Sequence, residues 1–276
     1  MNGLLFIDKP EGLTSHDVTH KVSLKLHTKK VGHTGTLDPM ATGVLVLCVG
    51  TYTKLVSLLT SSDKTYVFTM KFGVETDTGD ITGNTVSTSN IIPSEGEIVS
   101  SMFDFPREYE QTVPIYSAVK VNGKRLYEYA RENISVELPR RHVSIYNMQL
   151  LNVEDDEATF LVSVSKGTYI RSLVVDIAKS LHTLGVMTNL RRVKQGSIDI
   201  SRCMSLDEVS SDKLYSVKDI FDYEEYDLSD MEYKRVENGN ELSINNDSKY
   251  IVVKYKKKDI AFYEKNDSKY QIIMKL

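Results

Sequence analysis

The spacing of apolar residues changes character several times along the chain. Leu4-Leu5-Phe6-Ile7 is an unbroken apolar run, the pattern of a buried strand, and Lys9-Pro10-Glu11-Gly12 stops it because proline and glycine interrupt regular structure. Thr14 or Ser15 then offers a helix cap, and Val18, Val22 and Leu26 recur every four residues, which predicts an amphipathic helix. From Val44 to Val49 the run is again continuous, as for a strand covered on both faces. Lys64 to Phe72 alternates instead: Tyr66, Phe68, Met70 and Phe72 are separated by Val67, Thr69 and Lys71, the period of a strand with one face more buried.

Residues 75–101 are rich in Thr, Ser, Gly and Asp and predict a loop followed by a short helix after Pro93. Val143 to Val153 and Ala158 to Ser165 predict a hairpin turned by Glu154-Asp155-Asp156-Glu157, and Tyr169 to Leu181 predicts a helix. Strands and helices alternate irregularly, which favours a mixed α/β (α+β) architecture over a regular parallel wound sheet. Residues 222–232 carry Asp222, Glu224, Glu225, Asp227, Asp230 and Glu232 with no basic residue among them, the composition of an acidic linker. Beyond it, Tyr250 to Tyr255 and Asp259 to Tyr263 are strand-like. The expected organisation is therefore a main domain over 1–221, a linker over 222–232 and a small β module over 233–276, too small to bury much core unless it leans on the main domain.

Composition adds a class. Hydrophobic residues make up 41% and charged residues 26%, as in an ordinary folded, soluble chain rather than a disordered one. No apolar run reaches membrane-spanning length and no signal-peptide pattern precedes the first strand, so a cytoplasmic protein without membrane attachment is expected. The two cysteines, Cys48 and Cys203, have no zinc-like or disulfide-like spacing.

A net charge of −4 argues against nucleic-acid binding, but its distribution is uneven. Between Val18 and Leu37 there is no acidic residue, while Lys21, Lys25, Lys29 and Lys30 are present. Lys120, Lys124, Arg125, Arg131, Arg140 and Arg141 form a second basic island, and Arg171, Arg191, Arg192 and Lys194 a third. These are either ordinary solvated faces or a phosphate-tracking stripe. From Lys249 to Leu276 eight lysines face three acids, which suits either an RNA contact or an edge that discourages strand aggregation.

The run from Val31 to Gly43 holds three glycines, a histidine and an aspartate between a helix and a buried strand. Backbone in such a loop can approach a ligand closely. It is neither a Walker loop nor a dinucleotide fingerprint, and by these residues alone Asp38, just before a proline, is as compatible with a structural turn as with catalysis.

His33-Thr34-Gly35-Thr36-Leu37-Asp38-Pro39-Met40-Ala41-Thr42-Gly43 closely resembles the catalytic motif of bacterial tRNA pseudouridine-55 synthases of the TruB type. Other stretches resemble the same family in the same order. Gly3 to Pro10 with Gly12, Thr14 and Ser15 is similar to its opening segment, and Asp63-Lys64-Thr65-Tyr66 to its next motif. Pro114 to Lys120, continuing to Arg131, is similar to its RNA-gripping insertion, about 111–143. Ser165 to Arg171 and Leu190-Arg191-Arg192 are similar to its last two motifs.

The resemblance implies a pseudouridine synthase catalytic fold with a largely antiparallel sheet flanked by helices. It also implies a reaction, isomerisation of T-loop uridine to pseudouridine, with no metal or organic cofactor. Asp38 would be the essential carboxylate, either as a nucleophile at the sugar or as the base that removes a sugar proton. Arg171 would be its counter-ion. Tyr66 and Tyr169 would contact the target base, Tyr66 with a possible proton-shuttling role; the alternative for Tyr66 is membership of the core face with Phe68 and Met70. Leu190 would close the pocket.

A stacked uridine must be flipped out to react, and His33 matches the family's stacking wedge. Lys9, Lys64, Lys120 and Arg131 would track phosphates of the T-stem-loop. Asn238-Gly239-Asn240-Glu241-Leu242 and the strands after it resemble a shortened PUA domain, which would touch the acceptor end. No guide RNA and no protein partner are expected. The rival reading is an RNA-binding tRNA-folding chaperone in which catalysis is secondary.

Overall fold

The continuous apolar run from Val44 feeds two cores at once, which is why it does not alternate. In the computed structural model, which describes residues 1–276, it forms the strand Thr42–Val49. Leu45, Leu47 and Val49 pack with Leu5 and Ile7 against Val18, Val22 and Leu26 from the helix Ser15–Lys25 and its end. Val44, Val46 and Cys48 face the other way, with Leu4 and Phe6, onto Tyr250, Val252, Phe262 and Met274. The strand Gly3–Lys9 pairs with it antiparallel from Gly3 opposite Val49 to Lys9 opposite Gly43, and Val31–His33 also pairs with it.

Residues 1–39, 43–61 and 197–276 form one compact unit, and residues 40–42 and 62–196 a second. This differs from the expected boundaries at 221 and 233. The reason is the shared core just described: the C-terminal sheet covers the apolar face of the first strands, so it folds with them rather than as an appendage.

That sheet runs Glu224–Asp227, Tyr250–Tyr255, Lys258–Asn266, Lys269–Lys275, with the first pair parallel and the rest antiparallel. Its far face buries Ile251, Val253, Tyr263 and Tyr270 against Val236 of the helix Asp230–Glu237. Residues 222–232 are therefore not a linker. Glu225 lies 2.7 Å from Lys254 Nζ and 3.1 Å from Lys218 Nζ, Glu224 accepts from Asn246 and Asp230 from Tyr255, and Ser229 caps the helix that follows.

The second unit is an antiparallel sheet in the order Gly185–Gln195, Lys64–Phe72, Glu157–Val164, Arg140–Glu154, Glu108–Thr112. The predicted alternation holds: Lys64, Tyr66, Phe68, Met70 and Phe72 are buried and the residues between them are not. Ile170, Leu173, Val174, Ile177 and Ala178 of the helix Ile170–Ser180 are buried. A Cβ on Gly185 would come within 2.8 Å of both Ala178 Cβ and Met70 Cε, so only glycine lets strand and helix approach this closely. The helix after Pro93 is Glu95–Asp104, closed by a capping box from Ser94 and Glu97. Before it, Val74–Thr76 pairs with Thr85–Thr88 in a small hairpin.

No helix is long and apolar enough to cross a membrane.

Candidate active site

Asp38 sits in the loop between Val31–His33 and Thr42–Val49, and its two neighbours are fastened by groups from the chain's opening segment. Ser15 Oγ accepts the Leu37 N–H at 2.9 Å and donates to the Leu37 carbonyl at 3.3 Å. On the other side, the Pro39 carbonyl accepts from the Gly12 N–H at 2.8 Å and from Lys9 Nζ at 3.2 Å. Upstream, the Thr34 N–H and Oγ1 both reach the Val46 carbonyl. Leu37 and Thr34 are buried while Asp38 is half-exposed. The result is a carboxylate on a short arch whose feet cannot move independently, the preorganisation a catalytic group needs. His33 lies at the start of the same arch, half-buried.

Lys9 was expected on a phosphate, and its placement corrects that expectation. It is fully buried, and its ammonium donates to the carbonyls of Pro10, Leu13 and Pro39. It braces the turn beside Asp38 instead of facing solvent.

In the second unit Arg171 begins the helix Ile170–Ser180 and is itself buried. Its Nη1 donates to the Thr78 carbonyl and its Nη2 to the Tyr116 carbonyl, each at 2.9 Å. Its Nε lies 3.8 Å from Asp80 Oδ2. Asp80 was not foreseen from the sequence. Its Oδ1 accepts from Thr82 N, Thr82 Oγ1 and Thr78 Oγ1, so the Thr- and Gly-rich stretch read as a plain loop is the frame for a buried carboxylate beside Arg171. The Tyr116 bond ties the predicted insertion to the same guanidinium.

That insertion starts inside the strand Glu108–Thr112 and ends inside Arg140–Glu154. It carries a small hairpin, Lys120–Val121 with Lys124–Arg125, turned at Asn122 and Gly123, both with positive φ. Leu126–Arg131 follows as a short helix. Lys120 and Arg131 are exposed on it, as a phosphate contact requires, and Arg131 stacks over the Tyr127 ring at 5.3 Å.

Tyr66 and Leu190 lie on paired strands, Tyr66 opposite Arg192 and Leu190 opposite Phe68. Both are buried, and Tyr66 shares the core-facing side of its strand with Phe68 and Met70. Tyr169 occupies the N-cap position of the helix that bears Arg171. Lys64, also expected on phosphate, is buried, with its ammonium on the Ser62 carbonyl. Burial, helped by the nearby Arg192 charge, pulls its pKa down to about 8.

Residues 23–170 match the model of the TruB family pseudouridylate synthase N-terminal domain. A tRNA pseudouridine synthase B of Caldicellulosiruptor saccharolyticus is 44% identical across all of this chain and 91% of its own length. One of Lactobacillus acidophilus is 41% identical over 98% of this chain and 97% of its own. Among solved structures, a chain of the Cbf5-Nop10-Gar1 complex superposes with a TM-score of 0.69 at 24% identity, over 95% of this chain and 78% of that one. A chain of an H/ACA RNP bound to a substrate RNA containing 2'-deoxyuridine gives 0.69 at 20% identity, over 99% and 83%; both show the shared fold. With a matching family model over half its length and relatives above 40% identity from end to end, this chain belongs to the TruB family of pseudouridylate synthases.

Proposed function

We propose that this chain isomerises uridine 55 in the T-loop of tRNA to pseudouridine, acting alone on a flipped-out nucleotide. The reaction breaks the C1′–N1 bond and forms C1′–C5; the hydrogen on C5 leaves and N1 ends with one, so no cofactor or redox partner is required. Asp38 acts at the sugar, as nucleophile or as base, and both roles call for an ionised carboxylate. The fixed arch that carries Asp38 is the observation that supports this reading most, because it holds one half-exposed carboxylate between two anchored neighbours.

Arg171 serves Asp38 as its cationic partner, and Tyr66 stacks on the target base and takes part in its proton transfers. Tyr169 and Leu190 pack against the uracil and keep water away from it. His33 fills the gap left in the loop when the nucleotide turns out. Lys120 and Arg131 on the insertion hold T-stem phosphates, and residues 233–276 contact the acceptor end. The cytoplasm, where tRNA matures, is the place of action.

The test follows from the lost hydrogen. With tRNA transcribed from [5-³H]uridine and no guide RNA present, the chain should release tritium to water to the extent of one uridine per tRNA. Release that depends on added guide RNA, or none at all, would reject the stand-alone reading.

A further inference from the structure

The helix that carries Tyr169 and Arg171 lacks a local cap: Tyr169 makes no side-chain cap hydrogen bond, and the first turn has no acidic residue. The Tyr169 N–H goes instead to Gln111 Oε1 at 2.8 Å, on the strand Glu108–Thr112. Gln111 is 1% exposed, so its amide must find partners inside the protein. Its Nε2 donates to the Tyr109 oxygen at 2.9 Å, and the Tyr109 hydroxyl donates to Asp176 Oδ2 at 3.1 Å.

The direction of this relay is forced. A peptide N–H can only donate, so the amide oxygen must face it; the NH₂ then meets the phenol oxygen, which leaves the phenol hydrogen for the carboxylate. Ser172 Oγ adds a bond to the Thr112 carbonyl at 2.8 Å. Positions 169, 172 and 176 share one face of the helix, so one strand grips that face at both ends.

We propose that Gln111 is a positioning residue for the isomerisation. It touches no substrate; it fixes the start of the helix, and with it the directions of Tyr169 and Arg171. The inference rests on the reading that these two side chains act at the uridine. With Gln111 replaced by methionine, the Tyr169 N–H and the Tyr109 oxygen both lose their partner and the helix start is free to shift, and a displacement of about 1 Å at a reacting geometry costs roughly 100-fold in rate. Glutamate at 111 separates this from simple packing. Ionised, it still accepts from Tyr169 but has no hydrogen for Tyr109; protonated, it restores the relay.

The groups around that carboxyl set its titration. Burial and the Asp176 charge hold the Tyr109 phenol well above its usual range, and burial holds the Asp176 carboxyl up in turn. The Tyr109 hydrogen bond, then Lys179 and Arg140, pull Asp176 the other way, while Glu110 and Asp104 line the same cleft of about 420 Å³. With Asp176 one phenol away, a glutamate at 111 is pushed toward its neutral form.

The experiment measures single-turnover conversion of unmodified tRNA, and tRNA affinity, from pH 6 to 9. It uses the wild-type chain, Gln111→Met, Gln111→Glu and Tyr109→Phe, with Arg171→Ala as reference. Gln111→Met should slow the chemical step by roughly 10–100-fold with tRNA affinity within about 2-fold. Gln111→Glu should be slow at high pH and recover as pH falls, a profile that lost packing alone does not produce. A Gln111→Met rate within about 2-fold of wild type overturns the proposal. Should the methionine variant fail to fold, Tyr109→Phe decides, since it removes the middle of the relay: a wild-type rate overturns the proposal. If Arg171→Ala keeps the wild-type rate, the reading of Arg171 fails instead; if it collapses while the Gln111 variants stay active, only the inference fails.

Discussion

Asp38 owes its position to backbone contacts made by side chains far from the loop. Ser15→Ala should therefore be informative: it strips the buried Leu37 N–H of its acceptor, at a cost of roughly 1–3 kcal/mol. Conversion should slow about 10-fold with tRNA affinity little changed, as measured by single-turnover assay and thermal melting. Lys64 offers a test of electrostatics. Its pKa falls to about 8 in the folded chain against an ordinary 10.5, so between those pH values the unfolded chain binds the extra proton and stability rises with pH. Denaturant titrations at pH 7.5 and 10 should show Lys64→Met losing part of that rise relative to wild type. At this scale the motifs singled out Asp38, which lies in the anchored loop, and Arg171, which lies in the first turn of its helix. The sequence was not legible for Asp80, whose partner lies far along the chain, nor for Lys9 and Lys64, where charge suggested solvent and burial decided otherwise.

Elements were read best where a period was clean. The alternating strand Lys64–Phe72, the long hairpin of Arg140–Glu154 with Glu157–Val164 and the helix Ile170–Ser180 fall where the apolar spacing placed them. The supposed linker failed because its acids were read as a run, while Glu224–Asp227 is a strand of the C-terminal sheet and Asp230 and Glu232 lie in the first turn of a helix. For the insertion, Lys120→Ala and Arg131→Ala should each weaken tRNA binding and lower the salt dependence of log K by about 1, while the rate at saturating tRNA holds. Binding titrations across salt concentrations check this. The lysine cluster of the C-terminal sheet forms a tight turn in which Lys256 and Lys257 have φ of 49° and 65°. Replacing them by Asn and Gly should stabilise the chain by about 1 kcal/mol, visible as a raised Tm.

At the level of the whole chain, the expectation that the last residues must lean on something larger was sound, but the sequence did not show what they lean on. They complete the core of the first strands, with Phe262 beside Leu4, Phe6 and Val46 in one cluster. Phe262→Ala should cost about 3–5 kcal/mol and weaken hydrogen-exchange protection of Leu4 to Ile7 along with the C-terminal sheet; loss confined to the C-terminal strands would show two independent modules. The core and the Asp38 arch thus share one strand, since Gly3–Lys9 both joins this core and ends at the lysine that braces that arch. The most direct measurement of the central claim is a map of pseudouridine in an unmodified tRNA transcript, incubated with the purified chain or with Asp38→Asn and no guide RNA. Full conversion at uridine 55 by the wild-type chain and none by Asp38→Asn is the expected result; an unmodified T-loop, or conversion that survives the substitution, would contradict it.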